Sequence, residues 1–442
     1  MASMERSGRW SGVADAAMGG LAGGVAGGFF VVAVTLVLKA GMDLVSSQVT
    51  WILIAVPLLG LALAVLILQV FCRREDEQNA RRAPSPRAGA QRNLLPWRTF
   101  PRGSVQADIT GDVVATAGEE ERFPWRLAPV RVVAILCTVG LGQAMGTEAP
   151  AAYLGVAAGA FLGDRGRRWR GLLRPAALAG GSAGVAALMG IPLVGTAYML
   201  ELGWRHGAPL SASRVVAALI GGVIGWGINA SFHLNLIRLV IPKEPPDNFP
   251  HAVVTVLFIG ALSGAITSLA ASAIYRAKKW RSPAGVRLAL GGVSAGVTAV
   301  AIVLIAAPAA AVGPGGGAIT WAETTNAAPS ALLAVALLRA TATTAAVAAG
   351  GCGGVFVPFL AVGDLAGRVF APGLGIGNDL AGSSGAAAGI AGGYRLPFTA
   401  VAMVLGVGGP RLATLTGLGT VAVAFFAGMA TDRVLHRLGG RQ

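Results

Sequence analysis

Acidic residues are scarce, with 20 Asp and Glu against 35 Lys and Arg in 442 residues, and charged residues of all kinds make up only 12%. A soluble chain of this length needs far more charge to cover its surface, which excludes a water-soluble globular protein. Cysteine is rarer still. Cys72, Cys137 and Cys352 are odd in number and scattered, which supports neither a disulfide framework nor a metal cluster. The four histidines, His206, His233, His251 and His436, form no nucleophile or metal-ligand constellation. No enzymatic activity, metal or cofactor is therefore expected.

What fills the chain instead is apolar: 54% of residues, with a mean hydropathy of +0.67. Runs of spanning length cover Ala17–Leu38, Trp51–Val70, Ala252–Ile274, Val286–Ala310 and Leu412–Ala430. Each is close to the ~20 residues that cross a hydrocarbon layer as a helix. The first is followed by Lys39 and lacks a small-residue cleavage site, so it reads as a transmembrane helix and not a leader. The 65 glycines suit close helix packing in a membrane bundle. The expected class is all-α and polytopic in the cell membrane.

The net charge of +15 suggests nucleic acid, but the basic residues are confined to a few segments between apolar runs. Arg73, Arg74, Arg81, Arg82, Arg87, Arg92, Arg98 and Arg102 form one such segment. Arg165, Arg167, Arg168, Arg170 and Arg174 form another, and Arg276, Lys278, Lys279 and Arg281 a third. Short Lys/Arg-rich loops mark the cytoplasmic side of a membrane protein. With Arg6 and Arg9 inside, two crossings return Arg73–Arg102 to the inside, and Arg433, Arg437 and Arg441 close the chain. Both termini are expected in the cytoplasm, lipid is the expected surrounding partner, and nucleic acid is not a partner. The expected organisation is a cytoplasmic segment over 1–14, a membrane domain over 15–438 and an inserted basic linker over 73–105. The linker carries Pro84, Pro86, Pro96 and Pro101.

Two stretches share a pattern. Gly146-Thr147-Glu148-Ala149-Pro150 is followed by Gly155 and Gly159; Gly353-Gly354-Val355-Phe356-Val357-Pro358 is followed by Gly363 and Gly367. About forty residues further on, Ile191-Pro192-Leu193 with Ala197 and Leu200 matches Leu396-Pro397-Phe398 with Ala402 and Leu405. Repeated halves with Gly/Pro-interrupted apolar segments are the usual pointer to a transporter binding site. Pro in a first helical turn loses no needed hydrogen bond. The free N–H groups and the positive end of the helix dipole then attract an anion inside the membrane. Kinks that merely allow close packing are the competing explanation.

Glu148 lies inside one of these leads, in a stretch from Val132 to Leu162 that carries no other charge. An embedded carboxylate is costly and marks a functional site by default. On a helix N-terminus it competes with a free anion as a tethered one, and protonation releases it; the alternative is a plain capping carboxylate. Glu201, near Arg205 and His206, is a second candidate, for which an ordinary interfacial charge is the rival reading.

These residues resemble the chloride-channel (CLC) family of anion channels and proton-coupled anion exchangers, over about Gly19 to Leu438. Gly146-Thr147-Glu148-Ala149-Pro150 is similar to the family's G-R-E-G-P, whose Glu is the gate, a role that passes to Glu148. Gly354-Val355-Phe356-Val357-Pro358 resembles its G-x-F-x-P, which implies anion-coordinating amides at Val355 and Phe356. Gly146, Thr147, Ala149 and Gly354 complete the implied anion-binding set. Gly313-Pro314-Gly315-Gly316-Gly317 and Thr343-Thr344 resemble two further family segments. The resemblance implies two inverted-topology helical repeats, a homodimer with one pathway per subunit, chloride or a similar anion as substrate, and protons as a candidate second substrate.

Four departures stand out. Ala107, within Gln106-Ala107-Asp108-Ile109-Thr110, falls where the family has an anion-binding Ser, unless Ser104 or Thr110 takes that role in another register. Thr147 replaces the Arg of G-R-E-G-P. Leu202 falls where the exchangers carry an internal proton-transfer Glu, which leaves its neighbour Glu201 as the candidate for a proton path. Arg433 falls where the family has an anion-coordinating Tyr. The chain is also expected to carry no C-terminal regulatory domains. The competing functions are a fold-retaining member with a structural or regulatory role and a fluoride-type exchanger.

Overall fold

The structure, a computed structural model, describes residues 2–48, 50–82, 113, 123–165, 175–205, 207–234, 237, 246, 248–280, 282–374, 376–394, 396–408 and 415–439. Among them the chain is helical, with one isolated β-bridge. The first half holds α1 (Ala2–Ser46), α2 (Thr50–Arg82), α3 (Ala128–Ile135), α4 (Glu148–Arg165), α5 (Ala176–Met189), α6 (Pro192–Arg205) and α7 (Ala212–Ser231). The second holds α8 (Phe249–Lys279), α9 (Ala284–Ile305), α10 (Gly316–Thr324), α11 (Pro329–Ala349) and α12 (Phe356–Arg368). It ends with α13 (Ala371–Leu374), α14 (Asn378–Tyr394), α15 (Pro397–Gly408) and α16 (Leu415–Gly439).

Six of these helices have stretches long and apolar enough to cross a membrane: Val13–Ser46, Trp51–Phe71, Ala212–Ser231, Phe249–Lys279, Ala284–Ile305 and Pro329–Ala349. The run expected over Val286–Ala310 stops at Ile305, and Pro308–Ala310 forms a separate 3-10 turn. A proline cannot donate the next helical hydrogen bond, so the break falls just before Pro308. Two spans escaped the hydropathy reading. Ala212–Ser231 carries Arg214, and Pro329–Ala349 carries Arg339 and three threonines, which dilute their apolar character. Helix α1 includes the segment expected as a separate N-terminal piece, and α2 extends to Arg82, into the basic stretch. Ser104, Gln106, Ala107, Asp108, Ile109 and Thr110 lie outside the described residues.

Each half is built around one short buried helix. Every residue of α5 is buried, and so is Leu380–Gly392 of α14. Helix α5 packs against α1, α4 and α7, while α14 packs against α8, α12 and α16. The crossings of α4 on α5 and of α12 on α14 use the same device. A Cβ at Gly155 would strike the Gly180 carbonyl and one at Gly180 the Gly155 carbonyl; Gly363 and Gly385 stand in the same reciprocal relation. One turn further, Gly159 approaches the Ala176 carbonyl and Gly367 that of Ala381. Lipid tails are as apolar as the side chains, so no hydrophobic gain drives helices together in a bilayer, and close packing of this kind takes its place.

Buried charge is handled locally. At the end of α12, the Arg368 Nε–H donates to Asp364 at 2.7 Å, and Glu323 and Asp379 lie 3.6 and 3.9 Å from the same guanidinium. On α16, Asp432 accepts from the Ser268 hydroxyl at 2.7 Å. Because a Cβ at Gly363 has only backbone to displace, Gly363→Ala should destabilise by about 1–3 kcal/mol, the usual range for overpacking. The readout is a lower apparent Tm in detergent. Gly227→Ala, where nothing lies within 4 Å of the new Cβ, should leave Tm unchanged or slightly higher; equal losses at both positions would overturn this account of the crossing.

Candidate functional site

The two Gly-containing leads meet. The Gly146 N–H donates to the Gly354 carbonyl at 2.7 Å and the Gly354 N–H returns to the Gly146 carbonyl at 2.8 Å, an antiparallel bridge between segments some two hundred residues apart. Each lead then turns at once into a helix, α4 from Glu148 and α12 from Phe356. Pro150 and Pro358 both occupy the third helical position, where their missing N–H leaves no intrahelical bond unmade.

The Glu148 side chain is fully buried and crosses to the other half. Its Oε1 accepts the Phe356 N–H at 2.6 Å, while Oε2 has no partner among the described residues. Glycine is required on both sides of this carboxylate: a Cβ at Gly146 would overlap Oε2, and one at Gly354 would overlap Oε1. The carboxylate therefore sits in a slot made by two missing side chains, on the positive end of α12. Thr147 and Ala149 are buried beside it, Val355 is the half-buried residue that precedes α12, and Phe356 is 1% exposed. The structure thus brings Gly146, Glu148, Gly354, Val355 and Phe356 to one point, with Thr147 and Ala149 at its edge.

Side chains from neighbouring helices hold the leads in register. On α11, Thr343 Oγ1 donates to the Ala144 carbonyl at 2.8 Å. Thr138 Oγ1 accepts the Cys352 N–H at 3.2 Å, and Gln143 Nε2 donates to the Pro57 carbonyl at 2.9 Å. The last bond ties this segment to a carbonyl inside α2, at Pro57. Such bonds satisfy backbone groups that irregular chain would otherwise leave bare in a membrane interior.

Glu201 is not at this point. It is 4% exposed, and its carboxylate accepts from the Phe398 and Thr399 N–H groups at 3.2 and 2.8 Å and from the Thr399 hydroxyl at 2.8 Å. It caps the start of α15, so a carboxylate of the first half again sits on a helix N-terminus of the second. Arg433 is exposed on α16, its Nη2 3.6 Å from Met429 Sδ.

Sequence reasoning missed two tyrosines. Tyr198 lies one turn before Glu201 on α6, and Tyr394 ends α14. The Phe356 ring lies 6.5 Å from Tyr198 and 5.2 Å from Tyr394, edge-on to both, and the two hydroxyls are 3.3 Å apart. With only four tyrosines in the chain, two of them close to Pro192 and Pro397, their scarcity was the available signal. Chemically, the arrangement can hold one small negative group at the α12 start, beside an aromatic wall with polar tips.

The family model described as voltage gated chloride channel matches residues 94–430. The H(+)/Cl(-) exchange transporter ClcA of Yersinia pestis bv. Antiqua is 27% identical over 299 residues, 64% of this chain. The match spans 60% of that relative's length. ClcA of Salmonella paratyphi A is 26% identical over 261 residues, 56% of this chain and 52% of its own. Among solved structures, a slow cyanobacterial Cl-/H+ antiporter superposes with a TM-score of 0.66 at 19% identity, over 98% of this chain and 99% of its own. A CLC-type fluoride/proton antiporter superposes with a TM-score of 0.63 at 20% identity, over 96% of each chain. At these identities the likeness is one of fold.

A hydrogen bond to a charged acceptor contributes about 1.5–3 kcal/mol. In Glu148→Ala, the Phe356 amide should therefore exchange with deuterium at least several-fold faster than in the parent protein. Unchanged exchange across Gly353–Pro358 would mean that the Glu148 carboxylate does not occupy this amide.

Proposed function

We propose that this chain, which belongs to the voltage gated chloride channel family, carries chloride or a similar small anion across a membrane, with Glu148 as its gate. The observation that carries this reading is the Glu148 carboxylate on the Phe356 amide, in a slot bounded by Gly146 and Gly354. A helix start that accepts a carboxylate accepts a free anion for the same reasons. Ionised, Glu148 occupies the position; an arriving anion must displace it, or a proton must neutralise it. Gly146, Thr147, Ala149, Gly354, Val355 and Phe356 line the position, and the Tyr198–Tyr394 hydroxyl pair contributes polar groups that the missing C-terminal Tyr would otherwise supply. The two halves act as inverted repeats, the protein works as a homodimer, and both termini face the cytoplasm, in line with the basic loops.

Protons divide this reading in two. In the exchanger form, Glu201 passes protons toward Glu148. In the uncoupled form, Glu201 is a fixed cap, and its three donors at the start of α15 favour that role.

Liposomes containing the protein and a chloride gradient test both forms when chloride efflux and internal pH are followed together. Chloride efflux is expected, and no efflux of chloride or fluoride would sink the transport reading in favour of a structural or regulatory role. Efflux without proton movement removes the exchanger form, whereas proton movement abolished in Glu201→Gln establishes it. Efflux should rise as pH falls, because protonated Glu148 vacates the slot. In Glu148→Ala that pH dependence should vanish; its persistence would assign the gate to another group. Tyr198→Phe should shift the chloride-to-fluoride flux ratio without stopping flux.

A further inference from the structure

The Gly-rich loop at Gly313–Gly317 has no part in the Glu148 slot, and its chemistry points to a separate site. The loop joins the Pro308–Ala310 turn to α10, which starts at Gly316. Gly313 and Gly315 have φ of +64° and +127°, conformations that residues with a Cβ rarely adopt. Gly315 precedes α10 without a side-chain cap. The Gly313 N–H donates to the Gly142 carbonyl at 2.9 Å, and the bonds that open α10 run from Ala318 and Ile319 to the Gly315 carbonyl. That leaves the amides of Gly316 and Gly317 without an acceptor among the described residues.

Arg339 of α11 is fully buried against this loop. Its Nη1 donates to the Ala310 carbonyl and its Nη2 to the Gly313 carbonyl, each at 2.6 Å. The guanidinium lies on Gly315, since a Cβ there would be 3.4 Å from Nη2 and 3.5 Å from Nε. The Nε–H has no acceptor among the described residues. Ion pairs among the described residues join Lys39 to Asp43 and Arg368 to Asp364, Glu323 and Asp379; none reaches Arg339. A full positive charge is thus buried without a counter-charge, one of its donors is unspent, and it adjoins the positive end of a helix. All three features favour an anion and oppose a cation or a neutral occupant.

We propose that Arg339 and the first amides of α10 hold a small inorganic anion of chloride or bromide size, as a resident counter-ion distinct from the anion at Glu148. The site also borders the first lead: Gly313 bonds to Gly142, and Thr343, one turn along from Arg339, bonds to the Ala144 carbonyl. A bound anion would steady the segment that leads to Glu148. The assignment does not depend on transport, because it rests on the charge and donors of this loop alone.

The test is a crystal structure of the full-length protein with bromide replacing chloride, read by anomalous scattering. A bromide peak in contact with Arg339 Nε is expected, and the absence of one overturns the proposal. Calorimetric titration of bromide into halide-free protein supplies the second arm. Arg339→Lys, which keeps the charge and loses Nε and the planar fork, should lose one binding event per chain, while Glu148→Gln should keep it. If Arg339→Lys does not fold, the bromide map of the parent protein decides alone. A peak accompanied by unchanged stoichiometry in folded Arg339→Lys marks an adventitious ion only, and also overturns the proposal.

Discussion

Two N–H groups and two carbonyls, exchanged between Gly146 and Gly354, tie the start of α4 to the start of α12. Both helices begin inside the protein, so their first amides cannot turn to water. The bridge brings the two starts close enough for the Glu148 carboxylate to reach across to the Phe356 amide. The same closeness dictates glycine at both bridge positions, because any Cβ would occupy the volume of the carboxylate. Pairing, helix starts and the embedded acid are therefore one arrangement. A change in any of them alters the rest.

The packing around the bridge serves the same end. Helices α4 and α12 each lie against a buried partner through reciprocal glycine contacts, Gly155 with Gly180 and Gly363 with Gly385. Backbone-to-backbone contact fixes the axial position of a helix more tightly than interleaved flexible side chains can. Thr343 and Thr138 then satisfy irregular backbone of the leads, and Gln143 ties the first lead to the Pro57 carbonyl of α2. Arg339 does the same for the neighbouring loop, at the cost of burying its own charge. The interior thus supplies polar groups where chain regularity breaks, as the low dielectric of a membrane requires.

The second carboxylate extends the pattern. Glu201 sits on the start of α15 as Glu148 sits on the start of α12, each reaching from the first half into the second. They differ in what surrounds them. Among the described residues Glu201 has three donors, one of them the Thr399 hydroxyl, whereas Glu148 has one short bond and an oxygen without a partner. The better-satisfied group is the less mobile one. Near both stand Tyr198, Phe356 and Tyr394, three rings in mutual contact, with Phe356 at the α12 start and Tyr198 one turn before Glu201.

Residence in a membrane, helix starts at Pro150, Pro192, Pro358 and Pro397, and an embedded acid at Glu148 were all legible in the sequence. Each depends on a short window: apolar length over about twenty residues, or a proline and glycine acting on their own turn of chain. The spans at Ala212–Ser231 and Pro329–Ala349 were not legible, because Arg214 and Arg339 mask them locally, although the fold buries Arg339 completely. Nor could the sequence reveal that Glu148 meets Phe356, that Glu201 meets Thr399, or that Tyr198 and Tyr394 flank Phe356. Those contacts join residues about two hundred positions apart. They follow from how each helix is rotated about its axis and how deeply it is set. That is decided by glycine contacts between helices, which no local pattern encodes.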